Sequence, residues 1–139
     1  MIAFTVPGEP IAQSRPRATT VNGHVRMYDK REMVDYKSFI KLMASQQCKT
    51  LMTGPLGVSI HAYRQVPKSF SRKKAILAIS KSLYPSTKPD ADNYAKAVMD
   101  ALTGIVWADD GCVVELNVCK FYSDKPRLEV VVYEIKESQ

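Results

Sequence analysis

Two aspartates, Asp90 and Asp92, are separated by one residue at the point where an extended segment leads into a predicted helix. At such a junction both carboxylates can point in the same direction. Hard cations such as Mg²⁺ prefer oxygen ligands, take one or two carboxylates from the protein and keep water and substrate phosphate in their other positions. We expect a further carboxylate from Asp110, in preference to its neighbour Asp109, because this pair directly precedes a predicted strand that could begin beside the helix start. The pattern predicts a site for a divalent metal.

Lys96 is the cation that the same helix brings closest to such a site. Asp92, Lys96 and Asp100 follow one another at intervals of four residues, so they share one face of the helix. Ion pairing with either aspartate would stabilise the helix by roughly a few tenths of a kcal/mol. Neutralising charge that develops on phosphate oxygens is often worth more, on the order of several kcal/mol. Beside a carboxylate cluster in a basic chain, we favour the catalytic interpretation of Lys96.

Each aspartate also has a commoner structural use. Asp90 or Asp92 could be only the N-cap of the helix, and residues 109–111 could form only a turn. An EF-hand calcium loop beginning at Asp90 is excluded, because its sixth and twelfth positions would be Ala95 and Ala101, where glycine and glutamate are required.

The overall charge of the chain is positive, with 20 Lys and Arg against 14 Asp and Glu, a net charge of +6 and a pI near 9.3. This excess favours a polyanionic partner without identifying it. Arg72, Lys73 and Lys74 open a short predicted helix for which Ser71 is the N-cap. These cations oppose the helix dipole, so a purely structural helix would gain by placing them at its other end. Anion binding and a merely solvated face are equal alternatives for this cluster.

Length and hydropathy set further limits. At 139 residues and 45% hydrophobic, the chain is predicted to form a single domain over residues 1–139 with its own core. It has no apolar run of the roughly 18 residues that a bilayer requires, and its first residues lack the basic and then apolar layout of a signal peptide. We therefore expect a cytoplasmic protein with no membrane partner.

Hydrophobic periodicity predicts the elements that position these residues. Strand patterns cover residues 2–6, 56–63, 112–122 and 127–135, and a hairpin turning at Asn22-Gly23 joins residues 18–21 to 24–28. Helical patterns cover residues 30–47, with a capping box from Asp29 to Glu32, residues 72–81, and residues 92–102, closed by Gly104. The last two strands are expected to form an antiparallel hairpin. Together the elements predict an α+β fold, with a mixed or antiparallel β-sheet and two to three helices packed on it.

Around these residues the sequence resembles the RusA family of Holliday-junction resolvases, which is common in bacteria and their phages. The similarity runs through residues 88–93 (KPDADN), Lys96, residues 100–104 (DALTG) and residues 107–110 (WADD), and on through Val113, Lys120 and residues 126–127. Upstream, residues 8–10, 15–17 and 67–71 are similar to phage-type members, and coverage is weak only over residues 29–53. An ordered set of motifs of this length is far more specific than two aspartates alone.

The resemblance implies a homodimer that binds a four-way DNA junction and makes paired cuts with Mg²⁺, for which Mn²⁺ is an expected substitute. It implies that Asp90, Asp92 and Asp110 bind the metal and that Lys96 is the essential lysine. No organic cofactor is implied. Backbone contacts to DNA, which supply affinity and salt dependence, are expected from Arg15, Arg17, Arg72, Lys73 and Lys74.

Two alternatives to a junction resolvase are open at this point. A DNA-binding module that kept the fold and lost cutting would bind junctions with no need of a divalent metal. A broader nuclease would cut flaps or other branched DNA. The chain has Cys112 where many family members have Gln, a difference that bears on substrate preference and leaves the metal ligands unchanged.

Overall fold

The computed structural model describes residues 1–13, 17–21, 23–28 and 30–138, and for residues 17–21 and 24–28 it describes the backbone. The elements of these residues, in chain order, are β1 (Ile2–Pro7), β2 (Arg17–Val21), β3 (His24–Tyr28), α1 (Arg31–Ser45), β4 (Leu56–Gln65), α2 (Arg72–Ile79), α3 (Ala91–Leu102), β5 (Val113–Ser123) and β6 (Arg127–Glu134). A short 3₁₀ turn, Asp110–Cys112, precedes β5. The predicted α+β class is confirmed.

Four strands form a mixed sheet in the order β1-β6-β4-β5. β6 is antiparallel to both β1 and β4, whereas β4 and β5 are parallel, with Leu56 opposite Val113 and Gln65 opposite Ser123. The expected hairpin between the last two strands is therefore wrong, because β4 lies between them. β4 is buried over most of its length, whereas none of the described residues of β5 is fully buried. The more buried strand takes the central position, and the chain crosses its end to reach β6.

One face of the sheet is covered by α1 and α3, which also pack against each other. Alternate residues of β4, from Leu56 to Ala62, are fully buried, and so are the β6 residues Leu128, Val130 and Val132. Burying a large aliphatic side chain contributes about 1.5–3 kcal/mol, so this layer provides most of the force that fixes the helices on the sheet. No helix in the described part of the chain is long and apolar enough to cross a membrane.

The other predicted elements form with shifted ends. α1 and α2 are each two or more residues shorter than predicted, and the Ser71 hydroxyl accepts a hydrogen bond from the Lys74 amide at 3.2 Å, which confirms the N-cap of α2. β2 and β3 pair antiparallel, and Gly23 has a φ of 80° at their turn. Asn22 and the predicted cap Asp29 lie outside the described residues.

Helix α3 separates the predicted metal ligands along the chain: Asp90 and Asp92 lie at its start, and Asp110 follows its end. Its apolar stripe is buried in the core, and Asp90 is its N-cap residue, although the Asp90 side chain makes no capping hydrogen bond. Beyond its last turn, Gly104 has a φ of 90°, a left-handed conformation that glycine adopts without strain. Trp107 is fully buried, and its indole N–H donates to the Thr103 hydroxyl at 3.0 Å. The tryptophan thereby anchors the segment that leads to Asp110.

Candidate metal site and nucleic-acid surface

Asp90 and Asp92 lie at the N-terminus of α3 with exposed side chains. Within the described residues, neither carboxylate takes part in a hydrogen bond or an ion pair. The positive end of the helix dipole favours each negative charge there by about 0.3–1 kcal/mol. Exposed and unengaged carboxylate oxygens suit a hard cation that must also accept water and a phosphate. The donor set at this end of α3 therefore fits the expected metal.

Asp110 lies at the opposite end of β5. Val113, just after it, pairs with Leu56 at the start of β4, whereas Lys120 reaches the segment that precedes α3. The extended chain from Val113 to Lys120 spans about 23 Å at ~3.3 Å per residue. Among the residues that the structure describes, no three His, Cys, Asp or Glu side chains are grouped to hold a metal ion. The expected convergence of Asp110 with the pair inside one chain is wrong, because Asp110 precedes the start of β5, whereas the part of β5 that reaches the segment before α3 is around Lys120.

The two neighbouring aspartates before β5 differ in what they contact. The Asp109 carboxylate caps the 3₁₀ turn by accepting a hydrogen bond from the Gly111 amide at 3.2 Å. The turn interpretation therefore holds for Asp109. Asp110 is exposed, and in the described part of the chain its carboxylate has no hydrogen-bond or ion-pair partner. Of the two, Asp110 is the one that is available to a ligand from outside the chain.

Lys96 pairs with Asp100 and not with Asp92. The ammonium of Lys96 lies 3.2 Å from the Asp100 Oδ2 atom, and the ammonium of Lys37 on α1 lies 3.3 Å from the same oxygen. The Lys96 side chain is 60% exposed, whereas that of Lys37 is 16% exposed. The Lys96 amine is thus held loosely at the surface, one helical turn from Asp92, where an incoming phosphate could reach it.

The segment before α3 is held by two cations whose contacts the sequence did not reveal. The Lys120 ammonium donates to the carbonyl oxygens of Thr87 at 2.8 Å and Pro89 at 2.9 Å, and the Arg64 guanidinium donates to the Lys88 carbonyl at 3.2 Å. The peptide between Lys88 and Pro89 is cis. Three consecutive carbonyls directly before Asp90 are therefore bonded to the sheet.

The alternation of inward and outward residues along β5 is the sequence pattern that could have pointed to Lys120. Lys120 is in register with the fully buried Ala62, on the face of the sheet that the helices cover. A lysine at an inward position of a strand needs buried acceptors for its ammonium. Burial raises the pKa of the Tyr94 phenol in α3, and the positive charge of Arg64 lowers it by a smaller amount, so the charge of Arg64 also acts on α3.

The basic start of α2 lies at the same end of the sheet. Arg72, Lys73 and Lys74 are exposed, and the Lys74 ammonium lies 4.3 Å from the centre of the Phe70 ring. Phe70 in turn packs edge-on against Tyr122, near the end of β5, with 5.5 Å between ring centres. These contacts bring three of the five predicted DNA-binding cations towards the end of the sheet where Asp90 and Asp92 lie. Arg15 is outside the described residues, and of Arg17 only the backbone, in β2, is described.

The family that matches this chain is one of nucleases that cut within DNA strands. The chain is a member of the family described as endodeoxyribonuclease RusA, whose model matches residues 7–133. An uncharacterized protein of Bacillus subtilis (strain 168), YqaN, is 47% identical over 137 residues, 96% of either chain. The crossover junction endodeoxyribonuclease rusA of Lactococcus phage r1t is 24% identical over 137 residues, 95% of either chain. The family suspected from the motifs is confirmed.

Proposed function

We propose that this protein resolves Holliday junctions by paired hydrolysis of phosphodiester bonds during DNA recombination and repair, with Mg²⁺ or Mn²⁺ as the required ion. The observation that carries the proposal is the pair of exposed, unengaged carboxylates of Asp90 and Asp92 at the N-terminus of α3. A dinuclear or mononuclear site built on them would face a surface that also carries the cations of α2. A phosphodiester backbone is a substrate that needs both features.

A homodimer accounts for the position of Asp110. Because Asp110 lies at the far end of the sheet from Asp90 and Asp92, a site with all three carboxylates requires Asp110 from a second copy. A two-fold dimer would form two such sites and could cut two related strands of a junction. The exposed apolar side chains of Val114 and Leu116, on the edge strand next to Asp110, support a partner at this surface.

Each residue has a defined task in this proposal. Asp90 and Asp92 of one copy and Asp110 of the other would hold the ion. When bound, such an ion supplies Lewis-acid stabilisation of the attacked phosphate and a more acidic water. Lys96 offsets negative charge on the phosphate oxygens as the bond to the leaving oxygen breaks. The cations of α2 bind backbone phosphates on the junction arms, so recognition depends on shape more than on base sequence.

Product patterns on three DNA substrates test the proposal. A four-way junction, a flapped duplex and a linear duplex are incubated with the protein in Mg²⁺, in Mn²⁺ and in a chelator. We expect symmetrical paired nicks in the junction only, and none in the chelator. Binding of the junction without cutting in either metal would identify a non-catalytic module. Equal cutting of the flap would identify a broader branched-DNA nuclease.

A further inference from the structure

Lys120 has an environment that a surface lysine does not need. Its side chain is half-buried on the inward face of β5, and its ammonium donates to two main-chain carbonyls, at 2.8 Å and 2.9 Å. Within the described residues no carboxylate accepts from it. Hydrogen bonds from a charged donor are shorter and stronger than those from a neutral donor. The positive charge of Lys120 therefore strengthens the hydrogen bonds that hold these two main-chain carbonyls.

Arg64 completes this arrangement from the neighbouring strand. Arg64 is opposite Tyr122 in the parallel register of β4 and β5, so it lies close to Lys120 along the sheet. Its bond to the Lys88 carbonyl falls between the two bonds that Lys120 makes to Thr87 and Pro89. Two adjacent strands thus hold three successive peptide groups. The last of these groups is the peptide that joins Pro89 to Asp90.

We propose that Lys120 and Arg64 are positioning residues for the divalent metal, because they hold the carbonyls of residues 87–89 and so set the direction in which Asp90 and Asp92 leave the start of α3. The proposal rests on the function proposed above. Neither cation touches the ion or the phosphate in this arrangement. Their effect passes through the main chain, since the Asp90 Cα is bonded directly to the peptide that Lys120 holds. A ligand pair on a helix end needs such support, because an unsupported first turn frays.

Metal affinity of the DNA-free protein is the first measurement. The variants are Lys120→Met, which keeps the aliphatic stem, Lys120→Arg and Arg64→Met, with Lys136→Met as a control that removes an exposed lysine outside the sheet. Residues that orient metal ligands typically change metal affinity or activity by about 10–100-fold when replaced. We expect Lys120→Met to bind Mn²⁺ about tenfold or more weakly and to cleave with a lower kcat at an unchanged KM. Lys120→Arg should recover most of the loss, because a guanidinium can still donate to both carbonyls.

Hydrogen exchange gives a second measurement that does not depend on activity. The amides at the start of α3 should exchange faster in Lys120→Met and Arg64→Met than in the wild type and in Lys136→Met. Junction binding without metal should be unchanged in all four proteins, which separates the effect from a general loss of structure.

The outcomes distinguish this inference from the proposed function. If the wild type cuts junctions and Lys120→Met has wild-type Mn²⁺ affinity and kcat, the positioning role is overturned. If the wild type cuts no junction, the proposed function fails, and unchanged exchange at the start of α3 would overturn the positioning role as well. If Lys120→Met does not fold, Arg64→Met and Lys120→Arg test the positioning role in its place. Wild-type metal affinity in Arg64→Met would then overturn that role.

Discussion

Lys96 forms an ion pair with Asp100, and this contact does not account for its proposed role in catalysis. Its pair with Asp100 is exposed, and an exposed pair of this spacing is worth about 0.3–0.5 kcal/mol. We predict that Lys96→Ala lowers the single-turnover cleavage rate by about tenfold or more, since 1.4 kcal/mol of lost transition-state stabilisation already corresponds to about tenfold. Junction affinity and thermal stability should stay near those of the wild type.

Asp100→Asn is the matched control for Lys96→Ala. It removes the ion pair with Lys96, together with the pair to Lys37, and keeps the Lys96 amine. A wild-type cleavage rate is expected for Asp100→Asn. An unchanged rate in Lys96→Ala would leave Lys96 with surface ion pairing as its only role.

Helices α1 and α3 each bury a tyrosine phenol, and the two phenols make the stability of the protein sensitive to alkaline pH. Burial raises the pKa of Tyr36 and of Tyr94 above the ordinary value of 10.0. As the pH rises through that value, the unfolded chain loses its phenolic protons while the folded protein keeps them. The contribution of each phenol to stability is therefore complete below about pH 10 and is lost above it, for Tyr36 by up to about 1.4 kcal/mol per pH unit.

Tyr36→Phe should remove one of these two contributions. We predict that the free energy of unfolding falls less steeply in Tyr36→Phe than in the wild type between about pH 10 and about pH 11, by about 1 kcal/mol per pH unit. Urea unfolding at a series of pH values measures both slopes, and a series near pH 8 gives the baseline difference between the two proteins. Parallel curves above about pH 10 would contradict the assignment of a raised pKa to Tyr36.

Local patterns were enough to predict the helices and strands but not their neighbours. Alternation identified β4, β5 and β6, because each strand carries its own inward and outward residues. It did not show that β4 inserts between the other two, since that choice depends on comparing how much each strand buries on both faces. The short turn at residues 124–126 is compatible with a hairpin and also with a crossing over the end of β4.

The same limit applies to the site. The position of Asp90 and Asp92 side by side could be predicted from spacing, because both belong to one helix start. The position of Asp110 depends on β5 running parallel to β4, and the contacts of Lys120 depend on carbonyls 31 and 33 residues away in the chain. The position of Asp110 and the contacts of Lys120 both depend on long-range pairing, which no local sequence pattern predicts.

At the scale of the whole molecule, the cations of α2 should control how binding depends on salt. We predict that replacing Arg72, Lys73 and Lys74 together with Gln weakens junction binding and flattens its salt dependence, by about 0.9 in logarithmic slope for each phosphate that the protein no longer neutralises. Removing the charges of Arg15 and Arg17 should act in the same direction. Binding titrations over a range of salt concentrations measure the slope. The control replaces three other exposed lysines: Lys41, Lys49 and Lys136.

A slope that changes equally in the α2 variant and in the control would mean that net charge alone sets the binding. A slope that changes only in the α2 variant assigns the DNA-binding surface to the region beside Asp90 and Asp92. Because counterion release depends on the phosphates that are neutralised locally, the comparison separates a defined interface from general attraction to a basic protein.

Mixed dimers test whether Asp110 acts across the two copies. Asp90→Asn and Asp110→Asn should each be inactive as homodimers and still bind junctions. A dimer with one chain of each kind contains one site that lacks both carboxylates and one site that keeps both, if Asp110 comes from the partner. Mixing the two inactive proteins under conditions that allow exchange of chains should therefore restore nicking of one strand, measured on a labelled junction.

The control mixture combines Asp90→Asn with Asp92→Asn. In that mixed dimer each site still lacks one member of the α3 pair, so no mixing ratio should restore cutting. If Asp110 instead served the site of its own chain, the mixture of Asp90→Asn with Asp110→Asn would contain two damaged sites and would stay inactive. Recovery in one mixture and not in the other thus requires a site shared between copies. It also predicts that the recovered product carries a single nick, because only one of its two sites is intact.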